Sequence, residues 1–296
     1  MVAPPILFTV YLSGLFGYVE ERVPGVKALP FVDDVAWTTE GNTEDDISQP
    51  LEQAAAANAV AFDTEKTEAI LLSRRRKRKT PAAPPQGIQV AGHTVHFNAQ
   101  ATRWLGAWLD SQLTLKEHHE VRVKKARNAQ NRLRRLAGQV GLSPENCRRV
   151  QSACAQAAAL FGSELLWKGD NAHGMVGRLK DVQKLVNQEA RLTTGAFRTT
   201  NQGALSLESG FRPAVAQLEN RVRRIALRLA SLPRGDQARE LVGASDSALG
   251  QRLQPALGCW NGREDTVVLE NPWAHPPRSR KRSQRRWKRS NSTGPA

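Results

Sequence analysis

The seven residues FVDDVAW, positions 31 to 37, set two adjacent carboxylates, Asp33 and Asp34, between two short apolar runs of β-forming residues. Aspartate tolerates tight turns and bonds to its own backbone, so Leu29 to Val32 and Val35 to Thr38 read as hairpin strands joined through the acids. Neighbouring carboxylates at a hairpin tip are also hard oxygen donors of the kind that hold Mg²⁺. Two such ions, about 3.5 to 4 Å apart, carry in-line phosphoryl transfer in polymerases. The seven residues by themselves leave both readings open, and the surrounding elements must decide.

Residues 1–112 read as an α+β zone with mostly antiparallel strands. An apolar stretch, Ile6 to Phe16, opens it. It is far shorter than the ~20 residues of a spanning helix, which argues against a membrane segment. No Lys or Arg precedes it and no A-x-A cleavage site follows, so secretion is not expected. After the FVDDVAW hairpin, Ser48 reads as the cap of a helix with Pro50 near its first turn and Leu51 to Ala61 as its body. Glu68 to Ser73 reads as a strand through Ala69, Ile70, Leu71 and Leu72. Ile88 to Val90 and Val95 to Phe97, around Gly92, read as a second hairpin.

Residues 113–232 read as a helical bundle. Ala126, Ala129, Leu133 and Leu136 recur at helical spacing, with Lys124, Arg127, Asn131, Arg134 and Arg135 on the opposite side. Ser143-Pro144-Glu145 is a helix start, cap then proline then acid. The apolar face that follows, Cys147, Val150, Cys154, Ala158, Phe161 and Leu165, makes both cysteines core residues. Leu179, Val182, Leu185 and Val186 mark a third helix, and Leu218, Val222, Ile225 and Leu229 a fourth. Residues 233–296 lose periodicity. Eight of the twelve residues from Arg278 to Arg289 are basic, which reads as a disordered arm or a localisation signal. A shorter basic run, Arg74 to Lys79, stands beside PAAPP and reads as an exposed loop.

The chain has 43 Lys plus Arg against 28 Asp plus Glu, a formal net charge of +15, in 296 residues. So basic a chain is expected to seek polyanions, nucleic acid first among them. The exposed face carrying Lys124, Arg127, Arg134 and Arg135 is the candidate surface, although basic faces also serve simply as solvated exteriors. The three cysteines, Cys147, Cys154 and Cys259, contain no CxxC pair. They give neither a disulfide framework nor a zinc site and fit a reducing compartment, nucleus or cytoplasm.

The order PPILFTVYLSGL, FVDDV, FDTEKTEAILLS, TRWLGAWLDSQLTLKEHH, ELLW and GAFRTT resembles the second half of a reverse transcriptase. It is most similar to the polymerase of fungal LINE-like (non-LTR) retrotransposons, over roughly residues 4 to 232. The resemblance implies an antiparallel polymerase palm followed by a thumb-like helical bundle, with RNA and DNA as partners and Mg²⁺ as cofactor. It gives Asp33 and Asp34 the place of the metal-binding pair, FVDD standing for the more familiar YxDD, with Phe31 and Val32 beneath the primer end. Lys66 falls in the region where a lysine can protonate departing pyrophosphate, its alternative being a surface lysine in a loop. Trp104, Leu105 and Gly106 fall on the primer-grip segment, with Arg103 able to meet phosphate; the alternative for Trp104 and Leu105 is a hairpin packed on the core.

The departures from that family are equally specific. The strand bearing its first catalytic Asp, and its fingers, would lie ahead of the segment containing PILF, where Met1 stands three residues before Pro4. Ala3, Pro4 and Pro5 replace the Gln-Gly-Ser that shapes the nucleotide pocket. Two-metal transfer needs carboxylates from two strands, and one hairpin supplies half of that set. The expectation is therefore a truncated RNA-directed DNA polymerase that is inactive by itself, with an incomplete palm, unless a complementing polymerase fragment supplies the missing Asp. The contrasting expectation is a non-catalytic, basic nucleic-acid-binding or interaction protein.

Overall fold

A computed structural model describes residues 3–31, 34–43, 45–57, 63, 65–72, 87–98, 101–169, 172, 174–243, 250 and 253. The fold is α+β, 59% helical, with small antiparallel sheets. It divides into two compact units, residues 1–162 with 180–211, and residues 163–179 with 212–296. Among the described residues no helix is long and apolar enough to cross a membrane.

The first unit opens with helix α1 (Ala3–Arg22) and the antiparallel hairpin of β1 (Lys27–Phe31) and β2 (Asp34–Thr38). Phe16, Val19 and Val23, at i, i+3 and i+7, give the end of α1 one apolar stripe. Val19, Val23 and Val26 pack on Ala54 of α2 (Asp45–Ala57), with Trp37 of β2 laid against them. The Phe16 and Trp37 rings meet edge to face, 5.9 Å between centroids. A second small cluster joins Ile88, Val90 and Val95 of the hairpin β3 (Ile88–Val90) and β4 (His93–Val95) to Leu51 and Ala55 of α2. A third hairpin, β5 (Ala101–Trp104) and β6 (Ala107–Asp110), leads into α3 (Lys116–Val140). Each hairpin is a separate two-stranded sheet.

The helical part of this unit continues through α4 (Pro144–Gln151), a π-helical turn (Ser152–Gln156) and α5 (Ala157–Leu160). After the second unit's α6 (Ser163–Leu166) comes α7 (Met175–Thr194), within which the division between units falls. Val123 and Ala126 of α3 pack on Leu185 of α7, with Ala158 and Ala159 beside them. Helix α8 (Gln202–Ser209) follows, starting at the Asn201 cap and ending in Gly210 at φ 69°. In the second unit α6 and α9 (Ala214–Ala230) are in contact, as are α9 and α10 (Gln237–Gly243). Leu218, Val222 and Ala226 form the buried stripe of α9.

Several sequence expectations change. Helix α2 starts at Asp45, not after Ser48, because Thr43 and Asp46 cap each other's backbone. The Thr43 hydroxyl accepts the Asp46 N–H at 3.2 Å and the Asp46 carboxylate accepts the Thr43 N–H at 3.0 Å. Pro50 lies inside the helix, and residues 58–61 of the expected body lie outside the described residues. Of the strand expected over Glu68 to Ser73, the described residues 68–72 form one isolated parallel bridge, Ala69 to Phe97, and Ser73 lies outside them. Cys154 is exposed, and Ala155 is the buried residue in its place. The reason is the π turn at residues 152–156, which takes one extra residue and shifts the phase of the face around Cys154, although Ala158 still packs on the core. Phe161 and Leu165, expected in that core, are 43% and 46% exposed, and Leu136, at the far end of its stripe on α3, is 44% exposed. Finally, α10 gives regular structure to the start of the expected tail; Arg278 to Arg289 and Arg74 to Lys79 lie outside the described residues.

Candidate functional site

The β1–β2 register pairs Phe31 with Asp34 and Leu29 with Ala36. Directly paired residues share a sheet face, so Asp34 lies on the same face as Leu29 and Phe31, which are 43% and 55% exposed. The opposite face carries Ala28 and Trp37 toward the core on α1, and the Ala28 N–H donates to the Glu20 carboxylate at 2.8 Å. Alternation thus holds one face of the hairpin down and leaves the other, with Asp34, open. Asp33 and Val32 lie outside the described residues. Asp34 supplies the right donor for Mg²⁺, a hard carboxylate oxygen, but one described carboxylate does not make a site. Among the described residues no three His, Cys, Asp or Glu side chains gather into a group able to hold a metal ion.

Lys66 stands in a turn closed by the Lys66 and Thr67 N–H groups donating to the Asp63 carbonyl. Its ammonium donates to the Asp63 carboxylate, and both side chains are exposed. That hydrogen bond raises the Lys66 pKa and lowers that of Asp63. The neighbours Glu65 and Glu68, with His93 and His96, line an open groove of about 490 Å³. Lys66 is therefore set among acids, and no hydrogen bond or ion pair among the described residues joins it to Asp34.

The residues Arg103, Trp104, Leu105 and Gly106 form the tip of the β5–β6 hairpin. Trp104 pairs with Ala107, leaving Leu105 and Gly106 as a two-residue loop with φ of 46° and 80°. Both positive angles belong to the turn whose twist matches antiparallel strands, and glycine meets that demand easily where leucine does not. Leu105 and Arg103 are exposed, whereas the Trp104 indole N–H is shut from solvent without an acceptor. The loop from β6 into α3 is organised by Asp110, whose carboxylate accepts the N–H groups of Gln112, Thr114 and Leu115. Partial burial pushes the Asp110 pKa up, and these hydrogen bonds outweigh it, leaving the carboxyl below its usual range.

The first turns of α3 lock this hairpin in place. His118 is buried; its Nδ1 accepts the Trp108 N–H at 3.2 Å, so Nε2 carries the proton and donates to the Phe161 carbonyl at 2.9 Å. A side chain at Gly162, where φ is 69°, would come 2.7 Å from that Nε2. One turn along α3, Arg122 donates to the Gly106 carbonyl and lies over the Phe161 ring, 3.9 Å from its centroid. Arg122 was not among the residues singled out from sequence. The available signal was its spacing: it lies four residues after His118 and four before Ala126, a charge on the stripe that faces the core.

Lys124, Arg127, Arg134 and Arg135 all lie on the exposed side of α3, as their spacing predicts. Behind them the helix buries Gln130. Its amide donates at 2.9 Å both to the Leu185 carbonyl and to the Glu189 carboxylate. The amide of Gln156, on the π turn, donates to the other Glu189 oxygen at 2.7 Å, and that of Gln151 reaches the Glu189 carbonyl. Burial pushes the Glu189 carboxyl up to about 7 despite those two side-chain hydrogen bonds. Its residue type, one Glu in a polar-looking helix, gave no sign of this.

Comparison with protein-family models, with curated proteins and with solved structures gives no match.

Proposed function

We propose that this chain is the palm and thumb-like part of an RNA-directed DNA polymerase resembling those of LINE-like retrotransposons, and that it binds RNA and DNA but does not extend a primer by itself. The observation that carries the reading is the register of the first hairpin. Phe31 pairs with Asp34, the first and last residues of FVDD, so the motif spans the end of an antiparallel hairpin with Asp34 on its open face. The later hairpin with Arg103 to Gly106 and the basic helix α3 follow in the order the resemblance requires. Mg²⁺ is the ion the aspartate pair would hold, with a further carboxylate brought from outside this hairpin, for instance by a second polymerase fragment. To protonate pyrophosphate Lys66 would have to leave its ion pair with Asp63, which holds its proton more tightly.

A second reading, a non-catalytic nucleic-acid-binding protein, is favoured by the exposed row of Lys124, Arg127, Arg134 and Arg135 on α3, which needs no metal site to attract phosphate. Primer extension separates the two. Given primer, template, nucleotides and Mg²⁺, the chain is expected to extend no better than an Asp33→Asn, Asp34→Asn variant, and nucleic-acid binding is expected to survive the double substitution. Extension restored by a fragment carrying an aspartate strand, and lost in the double variant, supports the polymerase reading. Extension by the unaltered chain alone overturns the claim of an incomplete site, and absence of nucleic-acid binding overturns both readings.

A further inference from the structure

We infer that Phe197 is a stacking platform for an unpaired base of a single-stranded nucleic acid, with Arg198 beside it meeting the strand's phosphate. The inference deepens the nucleic-acid-binding reading and rests on it for the source of the base. Phe197 is 83% exposed in the turn that follows α7, and among the described residues no ring or cation lies against it. A single exposed apolar side chain is ordinary; what sets this one apart is the fixed backbone that presents it. Gly195, at φ 69°, ends α7 by donating its N–H to the Arg191 carbonyl at 2.8 Å, and the Thr194 hydroxyl accepts the Ala196 N–H at 3.3 Å. The Phe197 carbonyl accepts the Thr200 N–H at 3.1 Å, and the Arg191 guanidinium donates to the Arg198 carbonyl at 3.2 Å. The backbone on both sides of the ring is therefore held before any ligand arrives, which lowers the ordering cost of binding.

The charges at this end of the helices identify the partner. His119 lies 3.5 Å from Asp181 and Gln130 lies 2.9 Å from Glu189, so α3 and α7 run side by side in the same direction. Four residues further along each helix, Arg134 stands level with Thr193, one turn short of Phe197. Helix α4 runs the opposite way against α7. Its Gln151 meets the Glu189 carbonyl at 3.4 Å and its Cys147 meets the Thr193 hydroxyl at 3.9 Å, so Arg148 comes to the same end. Arg134, Arg135, Arg148 and Arg198 are all exposed, while Glu145 in the first turn of α4 is held by Arg149. A ring set among arginines repels a basic partner and suits an anionic one with flat faces to offer. In a duplex those faces are taken up by neighbouring bases, so the ring takes an unpaired base, and stacking is tolerant of which base it is.

The test uses the full chain with Phe197→Ala, Phe197→Trp, Arg198→Gln and Leu207→Ser, the last at a second strongly exposed apolar position, 84%. Binding is measured across a salt series to an oligothymidylate, to the same strand with its bases removed, and to a duplex of equal length. Phe197→Ala should weaken binding to the oligothymidylate about 5- to 150-fold, and Phe197→Trp should retain it. The loss should vanish on the abasic strand, which keeps every phosphate and offers nothing to stack. The log-log salt slope should be unchanged in Phe197→Ala and should fall by about 0.7 in Arg198→Gln. Leu207→Ser should bind as the parent does. No loss in Phe197→Ala, or an equal loss on the abasic strand or the duplex, overturns the stacking while leaving the broader reading intact, and an unchanged slope in Arg198→Gln overturns the phosphate contact. Self-association of the parent that Phe197→Ala and Leu207→Ser both abolish gives the ring to a second copy of the chain and also overturns the inference. No binding by the parent to any of the three probes defeats the broader reading.

Discussion

In the helical part of the first unit, Val123, Ala126 and Leu185 close around a buried polar pair, Gln130 and Glu189, whereas the β1–β2 hairpin leaves Leu29, Phe31 and Asp34 open to solvent. Both regions combine apolar side chains with carboxylates, but they differ in how many neighbours the backbone can bring. Helix α3 meets α5, the π turn, α4 and β6, so its buried His118 and Gln130 find hydrogen-bond partners. A two-stranded sheet can be covered on one face and still expose the other, and here Trp37 packs its face on the core while Leu29 and Phe31 on the other face are exposed. The difference shows why the helical part is well buried while one face of the hairpin stays exposed.

The sharpest way to break this comparison is to empty the helical core. Leu185→Ala, at a position 2% exposed, should cost about 2–5 kcal/mol in urea unfolding, since both transfer energy and packing are forfeited. A cost below about 1 kcal/mol would show that the core is loosely packed and the contrast with the hairpin false.

Next in size is the Glu189 carboxyl, whose pKa rises from an ordinary 4.5 to about 7 in the fold. The folded state therefore holds the proton more tightly than the unfolded state. Its stability is fully present below pH ~4.5 and is lost as pH rises through ~7. Glu189→Gln should remove that loss, gaining roughly 2–3 kcal/mol at pH 8 over the parent chain while differing little near pH 4. Parallel pH–stability curves for the two proteins would show that Glu189 is solvated.

A smaller effect is expected at Asp110, whose carboxyl is held low by the N–H groups of the loop into α3, which outweigh its partial burial. A depressed acid stabilises the fold above its unfolded pKa and loses that contribution as pH falls through the folded value. Asp110→Asn should thus cost roughly 1 kcal/mol at neutral pH, given partial solvent screening, and the cost should shrink in acid. The smallest effect belongs to the open face of the hairpin: Phe31→Ala should change stability by no more than about 0.5 kcal/mol. A loss as large as that of Leu185→Ala would mean that Phe31 is buried against something, and would erase the distinction between the two regions.

Much of this was legible in the sequence because it depended on short-range periodicity. The two β-forming runs joined through the turn-prone acids of FVDDVAW predicted the first hairpin, and the helical stripes at Ala126, Val182 and Val222 predicted α3, α7 and α9. The Ser-Pro-Glu signal predicted the start of α4, where the Ser143 hydroxyl accepts the Asn146 N–H. The basic side of α3 was equally readable, since charge and spacing alone place it in solvent. Lys66 was singled out from sequence, but its acidic partner Asp63 was seen only in the fold.

The features that sequence missed depend on pairs distant along the chain or on the count of residues per turn. Nothing local announces that residues 152–156 take an extra residue in the turn, and that single insertion exposes Cys154 and aims Gln156 at Glu189. Nor does a sequence say that Phe161, 39 positions after Arg122 in the numbering, will lie beneath that guanidinium, or that His118 will hold the Phe161 carbonyl. Composition, caps and periodicity determined the elements and their exposed charges because those follow from each residue's own chemistry and its near neighbours. The tertiary structure alone decided which charges are paired, which are buried and which, like Arg122 over the Phe161 ring, have no counter-charge among the described residues, because electrostatics and burial are set by what arrives from elsewhere in the chain.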